Sequence, residues 1–193
     1  MSVSRETALL HSYAALIRKW NPAINLVAPS TLDELEQRHI ADSQQLVTAA
    51  EAARGHWVDL GSGGGLPGVV VAICRPDLAV TLIESDRRKS AFLRNVAREL
   101  GLANTTVLNA RIEAAPAQHA NHVSARALAA LPQLLAYASR HLRSDGTAWF
   151  LKGRTWQSEV DAARKIWQFR LEVTASRTDT EAAILKIMDL KHA

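Results

Sequence analysis

Five of the eight residues from Gly61 to Gly68 are glycine, in the order Gly61-Ser62-Gly63-Gly64-Gly65-Leu66-Pro67-Gly68. The apolar run His56-Trp57-Val58-Asp59-Leu60 enters this loop and Val69-Val70-Val71-Ala72-Ile73-Cys74 leaves it, so the order is strand, glycine loop, helix. An ordinary tight turn needs two glycines. Five provide a backbone that can take φ > 0 repeatedly and lie close to a ligand, beside the free N–H groups of a helix start. A nucleotide-like cofactor is the expected occupant.

The residues before the loop bear on which cofactor. Gly63 to Gly68 match G-x-G-x-x-G, a pattern that by itself suggests a dinucleotide and its pyrophosphate. Asp59 to Gly65 also read D-x-G-x-G-x-G, placing an acid at the strand end before the first glycine. Asp59, with Gly61, Gly63 and Gly65 behind it, suits a cationic ligand better than a phosphate. S-adenosylmethionine carries a sulfonium and an α-ammonium and has no phosphate. A second β-branched run, Ala79-Val80-Thr81-Leu82-Ile83-Glu84, ends in a carboxylate where an adenosine ribose would be held. NAD would use the same acid, so Glu84 supports adenosine binding without choosing between the cofactors.

A chain of 193 residues can bury one α/β core with a short appendage. No apolar stretch is long enough to cross a bilayer, and Met1-Ser2-Val3-Ser4-Arg5-Glu6 lacks the core of a signal peptide, so a cytoplasmic protein is expected. Cys74 is the only cysteine, which excludes an intrachain disulfide and a cysteine metal cluster. The 23 Lys and Arg against 19 Asp and Glu permit a polyanionic partner without requiring one.

Leu9, Leu10, Tyr13, Leu16, Ile17 and Trp20 form one helical stripe, expected to end at Asn21-Pro22. A second helix is expected from Thr31, whose spacing to Glu34 suits a capping box, through Leu35, Ile40 and Leu46. From residue 56 strands and helices alternate: strand 56–60, helix 67–74, strand 79–84, helix 86–100, strand 105–109, strand 122–125, helix 130–142, strand 147–152 and helix 156–166. Such alternation predicts a mostly parallel sheet with helices on both faces. The runs Phe169–Thr174 and Ala183–Leu190 are joined too tightly for a crossover helix and are expected to pair antiparallel. The whole is a single α/β domain over 1–193, with a helical cap over 1–52 and a cofactor-binding core over 53–193.

Trp20-Asn21-Pro22-Ala23-Ile24-Asn25-Leu26, Arg38-His39-Ile40-Ala41-Asp42-Ser43, the glycine loop, Arg126-Ala127 and Leu151-Lys152-Gly153 occur together in this chain. In this combination, from about Leu10 to Lys191, it resembles the bacterial 16S rRNA guanine-N7 methyltransferase family, also called glucose-inhibited division protein B. The resemblance implies a class I, Rossmann-like methyltransferase that uses S-adenosylmethionine. It also implies methylation at N7 of a guanine in the 530 loop of 16S rRNA, guanine 527 in the usual numbering. By the same resemblance Gly61, Leu66, Ile112, Glu113 and Arg126 hold the cofactor. Ala125 stands where many members have serine, and Glu84 replaces a common aspartate. The chain also begins close to the family's first helix, which predicts a reduced cap.

Guanine N7 carries a lone pair and no proton, so its methylation needs no general base. No catalytic residue in the acid–base sense is expected, and Arg126 is the candidate for support. Arg38, His39, Lys152 and Arg154 fall in segments expected to surround the base and are candidate RNA contacts, with rRNA or the 30S subunit as partner. His39 and Asp42 stand at helical spacing, but no ligand cluster accompanies them, so no metal site is expected and a histidine bonded within the cap is the simpler role. Two other function classes share some of these features: an NAD-dependent oxidoreductase and a noncatalytic RNA-binding protein with a vestigial pocket. The oligomeric state is left open.

Overall fold

The computed structural model describes residues 4–193; Met1–Val3, part of the start read as lacking a signal peptide, lie outside the described residues. Neighbouring residues of strand β1 (His56–Leu60) point to opposite faces of a sheet, as the pleat requires, and both faces are buried. Trp57 packs with the N-terminal helices, whereas Val58 and Leu60 pack with the later ones. The sheet is therefore covered on both sides.

Helix α1 (Arg5–Ile24) and helix α2 (Ala41–Ala49) form the cap. The core continues with helix α3 (Gly68–Cys74), strand β2 (Ala79–Glu84), helix α4 (Arg87–Glu99), strand β3 (Thr105–Asn109) and strand β4 (Ala120–Arg126). Helix α5 (Leu131–His141), strand β5 (Leu142–Lys152), helix α6 (Trp156–Ala163), strand β6 (Trp167–Ala175) and strand β7 (Ala183–His192) complete it. The seven strands lie in the order β3-β2-β1-β4-β5-β7-β6. β1 pairs in parallel with both β2 and β4, so the direction of winding reverses between them and leaves a crevice at their carboxyl ends. The last two strands pair antiparallel as expected, with β7 inserted between β5 and β6. Among the described residues no helix is long and apolar enough to cross a membrane.

Two expectations for the cap do not hold. α1 runs through Pro22 and ends at Ile24, with Asn25 in the left-handed conformation. A proline so near the last turn removes only one helical hydrogen bond. Just past the helix end, the Asn21 side chain accepts the amides of Leu26 at 2.7 Å and Val27 at 2.9 Å and fixes the exit of the chain. The Thr31–Glu34 pair is not a capping box. Thr31 lies in a 3₁₀ turn and donates its hydroxyl to the Ala28 carbonyl at 2.8 Å, and a π-helical turn, Leu35–Ile40, leads into α2. The extra residue per turn is a local widening often found at functional sites, and it brings Arg38, His39 and Asp42 to one cavity.

A buried polar contact ties the cap to the core. Tyr13 on α1 is fully buried and donates its hydroxyl to the Gly64 carbonyl at 2.6 Å. Tyr13→Phe keeps the ring and strands that carbonyl, so it is expected to lower unfolding stability by about 1–2 kcal/mol. Urea denaturation would show a lower midpoint at an unchanged slope.

Candidate active site

The glycine loop leaves β1 through residues that few side chains could occupy. Gly61 has φ +61° and Gly63 φ +55°. A Cβ on Gly61 would also lie 2.6 Å from a Leu128 methyl, and one on Gly65 would lie 2.8 Å from the Tyr13 hydroxyl. The close approach of backbone inferred from the glycines is thus a property of the folded loop.

Across the crevice, Glu84 closes the carboxyl end of β2. Its Oε2 accepts the Gly63 amide at 2.8 Å and its Oε1 accepts the Asp86 amide at 2.7 Å. The two bonds pin the glycine loop to the start of α4 and fix the carboxylate in place. A cavity of about 400 Å³ opens here. Of the residues singled out in the sequence, Gly61, Gly63, Leu66, Glu84, Ile112, Glu113 and Arg126 line it. Ile112 is positioned from behind by His141, which is fully buried and bonds the Ile112 carbonyl through Nε2 at 2.9 Å. Burial keeps the imidazole of His141 below its ordinary pKa.

Asp59 and Gly65 do not reach the cavity. Asp59 is 1% exposed and sits behind the loop, so the direct contact with a cationic ligand expected of it is not the contact observed. Its Oδ1 accepts the Ser124 hydroxyl at 2.6 Å, and Ser124 in turn accepts Trp57 Nε1–H at 2.9 Å. Its Oδ2 has no hydrogen-bond partner among the described residues. Burial pushes the carboxyl up to about 6, against the opposing pull of the Ser124 and Ser62 hydroxyls, the Gly68 amide and the Arg126 charge.

Arg126, at the end of β4, lines this cavity and a second one of about 500 Å³ lying between the cap and strands β5 and β7. Its Nη1–H donates to His39 Nδ1 at 2.9 Å. A guanidinium can only donate, so Nδ1 is the bare nitrogen and Nε2 carries the proton. Nε2 then donates to the Thr31 hydroxyl at 2.8 Å, which itself donates to the Ala28 carbonyl. Burial, with the charges of Arg126 and Arg38, pushes the His39 imidazole down to about 4. His39 is a neutral histidine tied into the cap, as the simpler reading held, and its partners are Thr31 and Arg126, not Asp42.

The other candidate RNA contacts separate. Arg38 and Lys152 line the second cavity, while Arg154 lies outside both walls, 78% exposed and paired with Glu181. The Lys152 ammonium is committed to the Ala129 carbonyl at 2.9 Å and to Glu159 at 2.6 Å. Burial alone would raise the Glu159 carboxyl; Lys152, the Leu131 amide and the Thr155 hydroxyl outweigh it and hold the group below the ordinary glutamate value. Lys152 thereby joins β5 to the starts of α5 and α6. Sequence reading missed Lys89, Leu128 and Tyr137 on the first wall and Gln45 on the second, and it weighed Asp42 only as a companion of His39. All but Leu128 lie on helices, where their spacing fits an ordinary surface or packing role.

Comparison with known proteins decides the family. The family model described as GidB, rRNA small subunit methyltransferase G, matches residues 6–187. The chain belongs to that family. It is 61% identical over 193 residues to the ribosomal RNA small subunit methyltransferase G of Paracoccus denitrificans, with all of both chains covered. Among solved structures it is similar to a protein of Agrobacterium tumefaciens described as a predicted O-methyltransferase. That match has TM-score 0.64 and 22% identity over 76% of this chain and 80% of that one. It is also similar to a protein of Methanococcus maripaludis provisionally described as an S-adenosyl-L-methionine-dependent methyltransferase, with TM-score 0.62 and 12% identity over 82% and 90%. At those identities the structures establish the fold, and the family membership establishes a methyltransferase.

Asp59 supplies a pH test of the site's construction. Its folded value of about 6 exceeds the ordinary 3.8, so its contribution to stability is fully present below pH 3.8 and is lost as pH rises through about 6. Asp59→Asn is expected to raise unfolding stability at pH 8 by about 2–3 kcal/mol, a gain that vanishes near pH 4. Urea unfolding at the two pH values measures the difference.

Proposed function

We propose that the chain transfers a methyl group from S-adenosylmethionine, held in the first cavity, to N7 of a guanine of small-subunit rRNA, guanine 527 in the usual numbering. The observation that carries adenosine binding in the first cavity is the fixed Glu84 carboxylate, and membership of a methyltransferase family favours S-adenosylmethionine over NAD as the adenosine present. Two backbone amides orient the carboxylate, and its remaining lone pairs face the cavity where the two ribose hydroxyls of an adenosine would donate. Gly61, Gly63 and Leu66 form the bend against which the donor would lie, and Ile112, held by His141, offers an apolar face for the adenine ring. Asp59 adds negative potential from beneath the bend without touching the ligand.

The donor supplies an electrophilic methyl on a sulfonium. N7 forms the new carbon–nitrogen bond with its own lone pair as the carbon–sulfur bond breaks, and no proton leaves the base in that step. The protein therefore has to position the base, exclude water and hold charge, and orientation of this kind can lower a barrier by roughly 7–11 kcal/mol. Arg126 stands where the two cavities meet and is held by neutral His39, so its guanidinium is available to the donor's carboxylate or to an RNA phosphate. Arg38 adds positive charge at the RNA side. An enzyme acting on rRNA works with the ribosome in the cytoplasm.

The test is transfer of labelled methyl to 30S subunits and to 16S rRNA lacking the modification, with the modified atom mapped afterwards. Calorimetric titration with S-adenosylmethionine and with NADH separates this chemistry from hydride transfer. Arg126→Ala is expected to lower transfer by about 100-fold, the scale at which misplacement by one ångström is felt, with an unchanged circular dichroism spectrum. An Arg126→Ala chain with full activity would remove that residue from the site.

A further inference from the structure

We propose that the second cavity is the pocket for the target base, and that the Asp42 carboxylate reads the N1–H and N2–H₂ edge of a guanine there. The proposal rests on the donor assignment of the first cavity. Transfer requires the accepting nitrogen to reach the methyl carbon in line with the sulfur, so the base must enter from a space that opens on the donor's. Leu26, Arg126 and Ala127 wall both cavities, which makes the second one a direct neighbour of the first. Its volume, about 500 Å³, lies within the range of small-ligand pockets. A base on an rRNA loop reaches such a pocket by leaving its stack.

The lining suits a purine plane with one polar edge. Val27, Leu151 and Ile184 offer apolar contact for the rings. Asp42, on α2, also lines this cavity and is half-buried. Its Oδ1 accepts the Thr178 hydroxyl and, at 3.4 Å, the Gln45 amide, whereas its Oδ2 has no hydrogen bond or ion pair among the described residues. Guanine presents two adjacent donors on its Watson–Crick edge, and adenine presents an acceptor at N1. A carboxylate therefore pairs with the first and repels the second. Unlike an arginine, which would occupy O6 and N7 together, a carboxylate on the opposite edge leaves N7 free to react. The purine gains positive charge as its nitrogen is methylated, and a fixed anion at its far edge stabilises that change.

The experiment compares wild type, Asp42→Asn and, as a control for loss of one negative charge, Glu172→Gln on unmethylated 30S subunits. Subunits reconstituted with inosine at the target position, which lacks only the N2 amino group, form the second arm. Wild type is expected to lose about 10–100-fold in transfer on the inosine particle, and Asp42→Asn to lose a similar factor on guanine, from the value of one bidentate base contact. Asp42→Asn is then expected to lose little more on inosine, while its S-adenosylmethionine affinity changes less than about twofold. Glu172→Gln, which removes an exposed carboxylate outside both cavity walls, is expected to retain transfer within about threefold. Equal transfer by Asp42→Asn and wild type overturns the pocket assignment and leaves the donor site standing. So does an inosine penalty of equal size in both, or a Glu172→Gln chain as impaired as Asp42→Asn. A wild-type chain that binds no S-adenosylmethionine and labels no subunit removes the methyl-transfer reading, and the pocket with it.

Discussion

The hydrogen bond from the Tyr13 hydroxyl to the Gly64 carbonyl joins the two halves of the molecule at the point where they make their site. On one side is a cap helix, on the other a loop whose glycines leave no room for a side chain next to that hydroxyl. Gly64 lines the first cavity, so the contact that seats the cap also sets the loop's position. Leu26, just past the end of the same helix, walls both cavities. The site is thus built between cap and sheet and belongs to neither alone.

Much of this architecture is legible in the residues. Glycine density, the acid closing β2 and the alternation of apolar runs are local signals, and they locate the crevice because parallel winding leaves few places for it. The cap is less legible because long-range partners decide its geometry. Pro22 reads as a helix stop until the chain is seen to leave the helix only at Asn25, with the Asn21 side chain on the amides of Leu26 and Val27, and Thr31 reads as a cap until its hydroxyl is seen between His39 and Ala28. Asp59 shows a different limit. Its place at a strand end is evident, but whether its carboxylate looks into the cavity or beneath it depends on Ser124, sixty-five positions away along the chain.

Two carboxylates packed against the same loop show how environment divides roles. Glu84 has both oxygens on backbone amides and faces the cavity. Asp59 has one oxygen satisfied by a serine and the other orphaned in the core, an arrangement that costs stability at neutral pH. A fold optimised only for stability would not keep an ionisable group there. Arg126 is a comparable case on the cationic side: burial lowers its pKa, and Asp42, Tyr13 and Asp59 offset only part of that.

The insertion of β7 between β5 and β6 also sets an order of assembly. Residues walling the first cavity end at Tyr137, whereas the second needs Ala183 and Ile184 as well as Arg38 and His39. During synthesis the first crevice has all its residues well before the ribosome reaches the final hairpin. The neighbouring chamber cannot close until the last strand has emerged and slid between its two partners. A chain ending before Ala183 would therefore carry every wall residue of one chamber and lack part of the other's.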